Sequence, residues 1–194
     1  MIIPKLIICP INKVMEILQS GRANAVLSLL TKAEVDKFYN TTGENLQEVF
    51  DYEYKPGNNF YGIEKYVKNG DWKIVTMEDN REAIDTPDAP DADNVGEAIS
   101  FAIKKINEGK HLIIHCQMGF SRSPAIAFLV LCHYTDPQSA INEIYSIRPN
   151  ISPNKNIIAI GDKLLGLNGA AIKAADDRNQ VRRAIKESFD GWFK

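Results

Sequence analysis

No apolar run in the 194-residue sequence approaches the ~20 residues that a helix needs to cross a bilayer. The longest, "LIICPI" and "AIAFLVLC", have the length of core segments. The N-terminus lacks the longer apolar region and small-residue cleavage site of a secretory leader, so the expected setting is cytoplasmic, with no membrane partner. Cysteine is scarce. Cys9, Cys116 and Cys132 cannot all be paired, and their spacing fits no zinc pattern, so reduced thiols and no metal are expected. A net charge of −2 gives no general attraction to nucleic acid or anionic lipid, so any basic site must be local. Fixed-period repeats are also missing, which excludes solenoids and propellers.

What is present is ordinary globular material, 44% apolar and 25% charged, in a length that suits one domain over 1–194 with 170–194 as a C-terminal helical extension. "PKLIICPI" (4–11) reads as a buried strand. "NKVMEILQSG" comes next as a helix, with Asn12 as candidate N-cap and Gly21 as its stop, and "ANAVLSLL" (23–30) as a second strand. Residues 31–70 hold one helical patch, "AEVDKFYN", and "DWKIVTMED" (71–79) is a strand ending in acids. A loop over 80–94 carries two prolines and five acidic residues. Helical periodicity resumes at Val95 and stops at Gly109, the strand "HLIIHC" comes after it, and "SPAIAFLVLCHY" is apolar nearly all round, as a buried helix would be. Asp136 with Pro137 opens a further helix, another ends at Gly166, and Ala170 to Lys194 reads as the last. Strands alternating with helices predict an α/β fold: a central, mostly parallel sheet of about four to five strands with helices on both faces and functional loops at the carboxyl ends of strands.

Such a loop is "HCQMGFSRS", residues 115–123. The thiolate is the reactive form of cysteine, and a helix N-terminus beside an arginine is an environment that favours it; Cys116 has both. Gln117, Met118, Gly119, Phe120 and Ser121 can curl so that successive N–H groups converge, with Gly119 supplying the conformational freedom. A nest at a helix N-terminus binds a phosphate-like anion, and Arg122 offers a planar fork that fits two phosphate oxygens. The bland alternative makes Cys116 a small core residue in an accidental turn. Cys9 and Cys132 lie in apolar runs and read as inert core, and His111 and His133 as surface or helix-end residues. A Cys9–Cys116 disulfide is conceivable, because both end strands of one sheet.

The pattern H-C-x-x-G-x-x-R-S over His115 to Ser123 resembles the cysteine-dependent protein tyrosine and dual-specificity phosphatases, and "RPNISPN" (148–154) is similar to the Arg-Pro and Pro-Asn segment that comes after the loop helix in the dual-specificity branch. "LIICPINKV", "LIIHCQMGFSRSPA" and "SPNKNIIAIGDKLLGLNG" further resemble a small bacterial group of predicted tyrosine phosphatases. The resemblance implies a tyrosine-phosphatase-like fold and hydrolysis of phosphomonoesters through a phosphocysteine on Cys116. Arg122 and the amides of 117–122 would hold the phosphoryl oxygens, Ser123 would hydrogen-bond the sulfur, and His115 would hold the thiolate's surroundings in place. Asn154 would brace the loop, or cap a helix. No cofactor or metal is implied.

The general acid stays open among Asp79, directly after a strand, Asp85, which fits the family's usual spacing from the cysteine, and Asp88 and Asp91; Asp79 is favoured. The loop holds no lysine, which favours a phosphorylated protein or a small aryl phosphate over an inositol lipid as substrate. Two rival readings are a non-catalytic phosphate-binding module and a rhodanese-like sulfurtransferase. Retention of both Cys116 and Arg122 argues against the first, and Ser123 with "RPNISPN" against the second.

Overall fold

The computed structural model describes residues 4–40, 63–80 and 89–190. Four strands, β1 (Leu6–Pro10), β2 (Ala25–Leu30), β3 (Trp72–Thr76) and β4 (Leu112–Cys116), form one sheet in the order β1-β4-β2-β3. Every neighbouring pair is parallel. The nearly continuous apolar sequence of β2 and β4, interrupted only by Ser28 and His115, has its reason: both strands are buried at every position, as strands covered on two faces must be.

Two hydrophobic clusters lie on the two faces. One joins Ile8, Leu27 and Ile114 to helices α3 (Ala92–Asn107), α4 (Arg122–Cys132), α5 (Pro137–Ile147), α6 (Lys155–Leu164) and α7 (Ala170–Asp190). The other joins Cys9, Val26, Leu30 and Ile113 to α1 (Val14–Gln19), to Val35 of α2 (Lys32–Asn40) and to Ile63 in a short 3-10 turn. Helix α4 is buried at all eleven positions because the sheet and α3, α5 and α6 enclose it, which accounts for its all-round apolar sequence. Helix α7 packs on α5 and α6 through Ala171, Ala174 and Ala175, its first turns tied down where Asp162 accepts hydrogen bonds from the Gly169 and Ala171 amides.

Two boundaries differ from expectation. Asn12 does not cap α1: the chain leaves β1 through a 3-10 turn, Ile11–Lys13, and no side chain caps the helix. Helix α3 begins one turn before its apolar face, because Asp91 and Asn94 form a reciprocal capping box that satisfies the first amides. The expected caps at Asp136 and Asn154 are present, and Gly109 and Gly166 adopt the positive φ that ends a helix.

In a parallel sheet all carboxyl ends share one edge. That edge gathers Thr31 and Glu34 from beyond β2, Met77 and Asp79 from beyond β3, and the Cys116 loop, with β4 in the interior of the sheet. No described helix is long and apolar enough to cross a membrane.

Candidate active site

The chain between β4 and α4 forms a cradle whose shape is set by its anchors. The carbonyl of Gln117 accepts from the Ile11 amide at 3.2 Å, that of Met118 from Arg148 Nη2 at 3.3 Å, that of Phe120 from the Ser152 amide at 2.9 Å, and that of Ser121 from the Asn154 amide at 3.2 Å. In a trans peptide the next N–H points opposite to its carbonyl, and the described chain has no cis bond. Outward carbonyls therefore turn the amides of Met118, Gly119, Ser121 and Arg122 to the inner side.

Gly119 is required here on two counts. Its φ is +61°, and a Cβ would stand 2.5 Å from the Cys9 carbonyl carbon and 2.6 Å from both the Cys9 oxygen and the Pro10 nitrogen. Those are backbone atoms of a paired strand and have little room to yield. Gly119→Ala is expected to lower stability by roughly 1–3 kcal/mol and to abolish binding of phosphate or vanadate, read by thermal unfolding and by titration of the folded variant. Anion binding at the wild-type level in the alanine variant would show that the loop closes without the glycine.

Cys116 sits at the floor, 2% exposed, with Sγ 3.3 Å from the Ser123 hydroxyl. The Arg122 side chain is 4% exposed and held on one edge. Its Nη1 donates to Glu34 Oε2 at 3.1 Å and to the Met77 carbonyl at 3.0 Å, and Nη2 to Glu34 Oε1 at 3.3 Å. Burial by itself would disfavour the guanidinium charge, but the hydrogen-bonded Glu34 carboxylate, helped by Cys116 and Asp79, raises its pKa above the ordinary value. Among the described residues Nε, although buried, has no partner. Glu34 thus occupies the end of the fork, and the side edge, Nε–H with the second Nη2–H, keeps the bidentate geometry that suits two oxygens of an anion.

Asp79 reaches the rim from the end of β3. Its Oδ1 accepts from the Ser121 hydroxyl and, at 2.9 Å, from Asn154 Nδ2. Asn154 serves both roles expected of it. It caps α6 through Oδ1, which accepts from the Ile157 amide at 3.1 Å, and it ties the loop to the acidic segment, with a further bond from Nδ2 to the Asn80 carbonyl. Asp91 is engaged instead at the start of α3, and Asp85 and Asp88 lie outside the described residues.

His115 is fully buried under the loop, and burial, aided by the Arg122 charge and opposed by a hydrogen bond to the Cys116 backbone, pushes its pKa down to about 3, so the ring is neutral.

The dual-specificity phosphatase catalytic-domain family model matches residues 23–160, which hold the cysteine loop, the acidic segment and the Asn154 brace. The chain belongs to this family. The phosphatidylglycerophosphatase and protein-tyrosine phosphatase 1 of Rattus norvegicus is 34% identical over 85 residues, 42% of this chain and 44% of that protein, so the match spans less than half of the relative's length. In fold, the chain is similar to the human tyrosine phosphatase-like serine/threonine/tyrosine-interacting protein, with a TM-score of 0.56 at 15% identity over 87% of this chain and 95% of that one. It is also similar to the Cydia pomonella PTP-2 phosphatase, with a TM-score of 0.53 at 20% identity over 82% and 85%.

In this dual-specificity-type site the other two cysteines stand apart. Cys9 pairs with His115 across the sheet and Pro10 with Cys116, so Cys9 and Cys116 point to opposite faces. Cys9 lies in the cluster with Val14 and Ile113, and Cys116 in the one with Ile8 and Ile114. The conceivable disulfide between them is therefore not supported by this geometry, and all three thiols are free. Burial pushes the Cys9 and Cys132 thiols up to about 12, as suits inert core residues.

Glu34 escaped the sequence reading. Thr31-x-x-Glu34 is a capping-box pattern, and the box is there: the Thr31 amide donates to Glu34 Oε2 and the Glu34 amide to Thr31 Oγ1. Local spacing cannot reveal that the same carboxylate also grips an arginine 88 residues away.

Proposed function

We propose that the chain is a cysteine-dependent phosphatase that hydrolyses phosphomonoesters on proteins through a phosphocysteine at Cys116. The observation that carries this reading is the placement of the Cys116 sulfur beneath inward-turned amides and beside the open edge of Arg122. A dianion seated there accepts hydrogen bonds from the amides of residues 117–122 and from Arg122, which leaves phosphorus facing the sulfur. The sulfur attacks in line, the S–P bond forms as the P–O bond to the leaving group breaks, and charge moves onto oxygens that fixed donors already face. With Oδ1 of Asp79 held by Ser121 and Asn154, Oδ2 passes its proton to the leaving oxygen. In the second step water attacks phosphorus, Asp79 takes its proton, and the S–P bond breaks while Ser123 donates to the departing thiolate. His115, neutral and buried, supports the peptide that carries the sulfur. A reduced, cytoplasmic setting keeps that thiol available.

Substrate class rests on two opposed observations. The loop of Gln117, Met118, Gly119, Phe120 and Ser121 brings no lysine, and Met118 and Phe120 are 62% and 40% exposed, which suits an apolar or aromatic neighbour of the phosphate rather than a polyphosphorylated ring. The name of the rat relative favours a lipid phosphate as a second reading. Both are tested by kcat/KM for an aryl phosphate, phosphotyrosine and phosphoserine peptides, and phosphatidylglycerophosphate in detergent micelles. The expected order places the aryl phosphate and phosphopeptides at least about tenfold above the lipid. Lipid hydrolysis above both would replace the protein reading while leaving the chemistry of Cys116 in place.

A further inference from the structure

Three of the four outward ties of the phosphate loop come from one short stretch, residues 148–154, which joins α5 to α6: Arg148 Nη2 donates to the Met118 carbonyl, the Ser152 amide to that of Phe120 and the Asn154 amide to that of Ser121. The same stretch places Asp79, through Asn154 Nδ2. Its position is set by the two helix ends that it joins, and both of them meet a single turn of α7, Asp176 to Asn179. On the α5 side, Arg178 lies over the Tyr145 ring with its guanidinium carbon 5.0 Å from the ring centre, and the Tyr145 hydroxyl donates to Asn179 Oδ1 at 3.4 Å. Tyr145 is buried in the last turn of α5, just before Arg148. On the α6 side, Lys155, the residue after Asn154, pairs with Asp176 at 2.7 Å. That turn has a firm base, because α7 starts on the Asp162 carboxylate and packs through Ala171, Ala174 and Ala175. Helix α7 lies beyond residues 23–160, the segment that matches the phosphatase family.

We propose that Arg178, aided by Asp176, is a positioning residue for the phosphate loop that acts through the connector 148–154: one turn of α7 sets both helix ends, the connector sets the loop carbonyls, and the carbonyls set the amides that meet an anion. The two ties are unequal. Lys155 and Asp176 are 61% and 44% exposed, so water and salt screen most of their attraction. Arg178 is half-buried and faces a ring that is 4% exposed, where a cation over an aromatic face is less screened and the planar guanidinium can stack. Arg178 therefore carries more of the positioning. Its contact lies at the end of α5, next to the residue that begins the connector, so its loss loosens the connector while the sheet stays packed. The effect on turnover rests on the reaction proposed for Cys116, but the effects on the connector and on anion binding do not.

The test uses full-length protein and three variants: Arg178→Met, which keeps an unbranched side chain but removes the cation, Asp176→Asn, and Lys173→Met, which breaks only an exposed pair within α7. Amide hydrogen exchange is followed at Ser152 and Asn154, whose N–H groups donate to the loop, and at Val26 and Leu112, which report on the sheet, while calorimetry gives the affinity for inorganic phosphate. Arg178→Met is expected to speed exchange at Ser152 and Asn154 and to raise the phosphate Kd, each by about three- to tenfold, with Val26 and Leu112 unchanged. Asp176→Asn should change each by less than about twofold, and Lys173→Met should leave both as in wild type. An unchanged phosphate Kd in Arg178→Met, or unchanged exchange at Ser152 and Asn154, overturns the proposal, since Arg178 would then only stabilise the fold. Equal effects from Lys173→Met overturn it as well, because they would belong to the helix as a whole. A wild type that binds phosphate, with variants that respond as expected, yet hydrolyses no aryl phosphate, upholds the positioning role and overturns only the reaction assigned to Cys116.

Discussion

Cys116→Ser is expected to lower kcat/KM for an aryl phosphate by at least about 10⁴-fold while phosphate and vanadate still bind. The two halves of that result come from different parts of the site. Binding is carried by amides whose directions are fixed by outward-tied carbonyls and by an arginine clamped by Glu34 and the Met77 carbonyl, none of which touches the sulfur's chemistry. Turnover needs a nucleophile that is substantially ionised, and a serine hydroxyl is not. The ordinary pKa of a thiol lies several units below that of an aliphatic alcohol, and among the described residues no base is hydrogen-bonded to the Cys116 side chain to take a hydroxyl proton. His115, the nearest candidate by sequence, is buried and has its Nε2 committed to Ser28. Anion titration by calorimetry, in parallel with kinetics, separates the two halves.

Asp79→Asn is expected to have the second-largest effect, and its signature is a pattern rather than a single number. The asparagine can keep the contacts with Ser121 and Asn154, since its amide oxygen replaces Oδ1, so loop geometry survives. What disappears is the proton. Substrates whose leaving group departs readily as an anion should lose little in kcat/KM, which reports formation of the phosphocysteine, whereas alkyl phosphates and phosphotyrosine should lose on the order of 10²–10⁴-fold in kcat/KM. A plot of rate against leaving-group pKa, flat in wild type and steep in the variant, is the measurement. The same steepness in Asp85→Asn or Asp88→Asn, with a flat line for Asp79→Asn, would move the acid to the segment beyond Asn80 and leave the nucleophile unaffected.

How much of the fold and site is legible in the sequence depends on the distance over which each feature is encoded. The cysteine loop is local. Its strand, glycine, arginine and helix lie within a few residues of one another, and turn chemistry with helix periodicity is enough to place them. Asp136, Asn154 and Gly109 are legible for the same reason, since a cap is a decision made within one turn. Asn12 misleads because its spacing suits a cap while the chain leaves the sheet through a 3-10 turn that needs none. The contacts that orient the loop are of another kind. Glu34 meets Arg122, Ser28 meets His115 and Asn154 meets Asp79 across separations of 75 to 88 residues, and each partner has a complete local explanation of its own: a capping box, a small residue in a strand, a helix cap. Only the parallel sheet, which brings every carboxyl end to one edge, joins them. The opposite faces of Cys9 and Cys116 are equally invisible until strand register is known.

The central claim is that phosphoryl passes through the Cys116 sulfur, and rapid acid quenching of wild type during turnover of an aryl phosphate, with peptide mass spectrometry of the quenched protein, addresses it most directly. The account predicts one phosphoryl group on the peptide that contains Cys116, bound as a thiophosphate that is lost at the rate of turnover and enriched in Asp79→Asn, where hydrolysis of the intermediate lacks its base. A phosphoryl group on another residue, or undiminished turnover by Cys116→Ser with no labelled peptide, would contradict it.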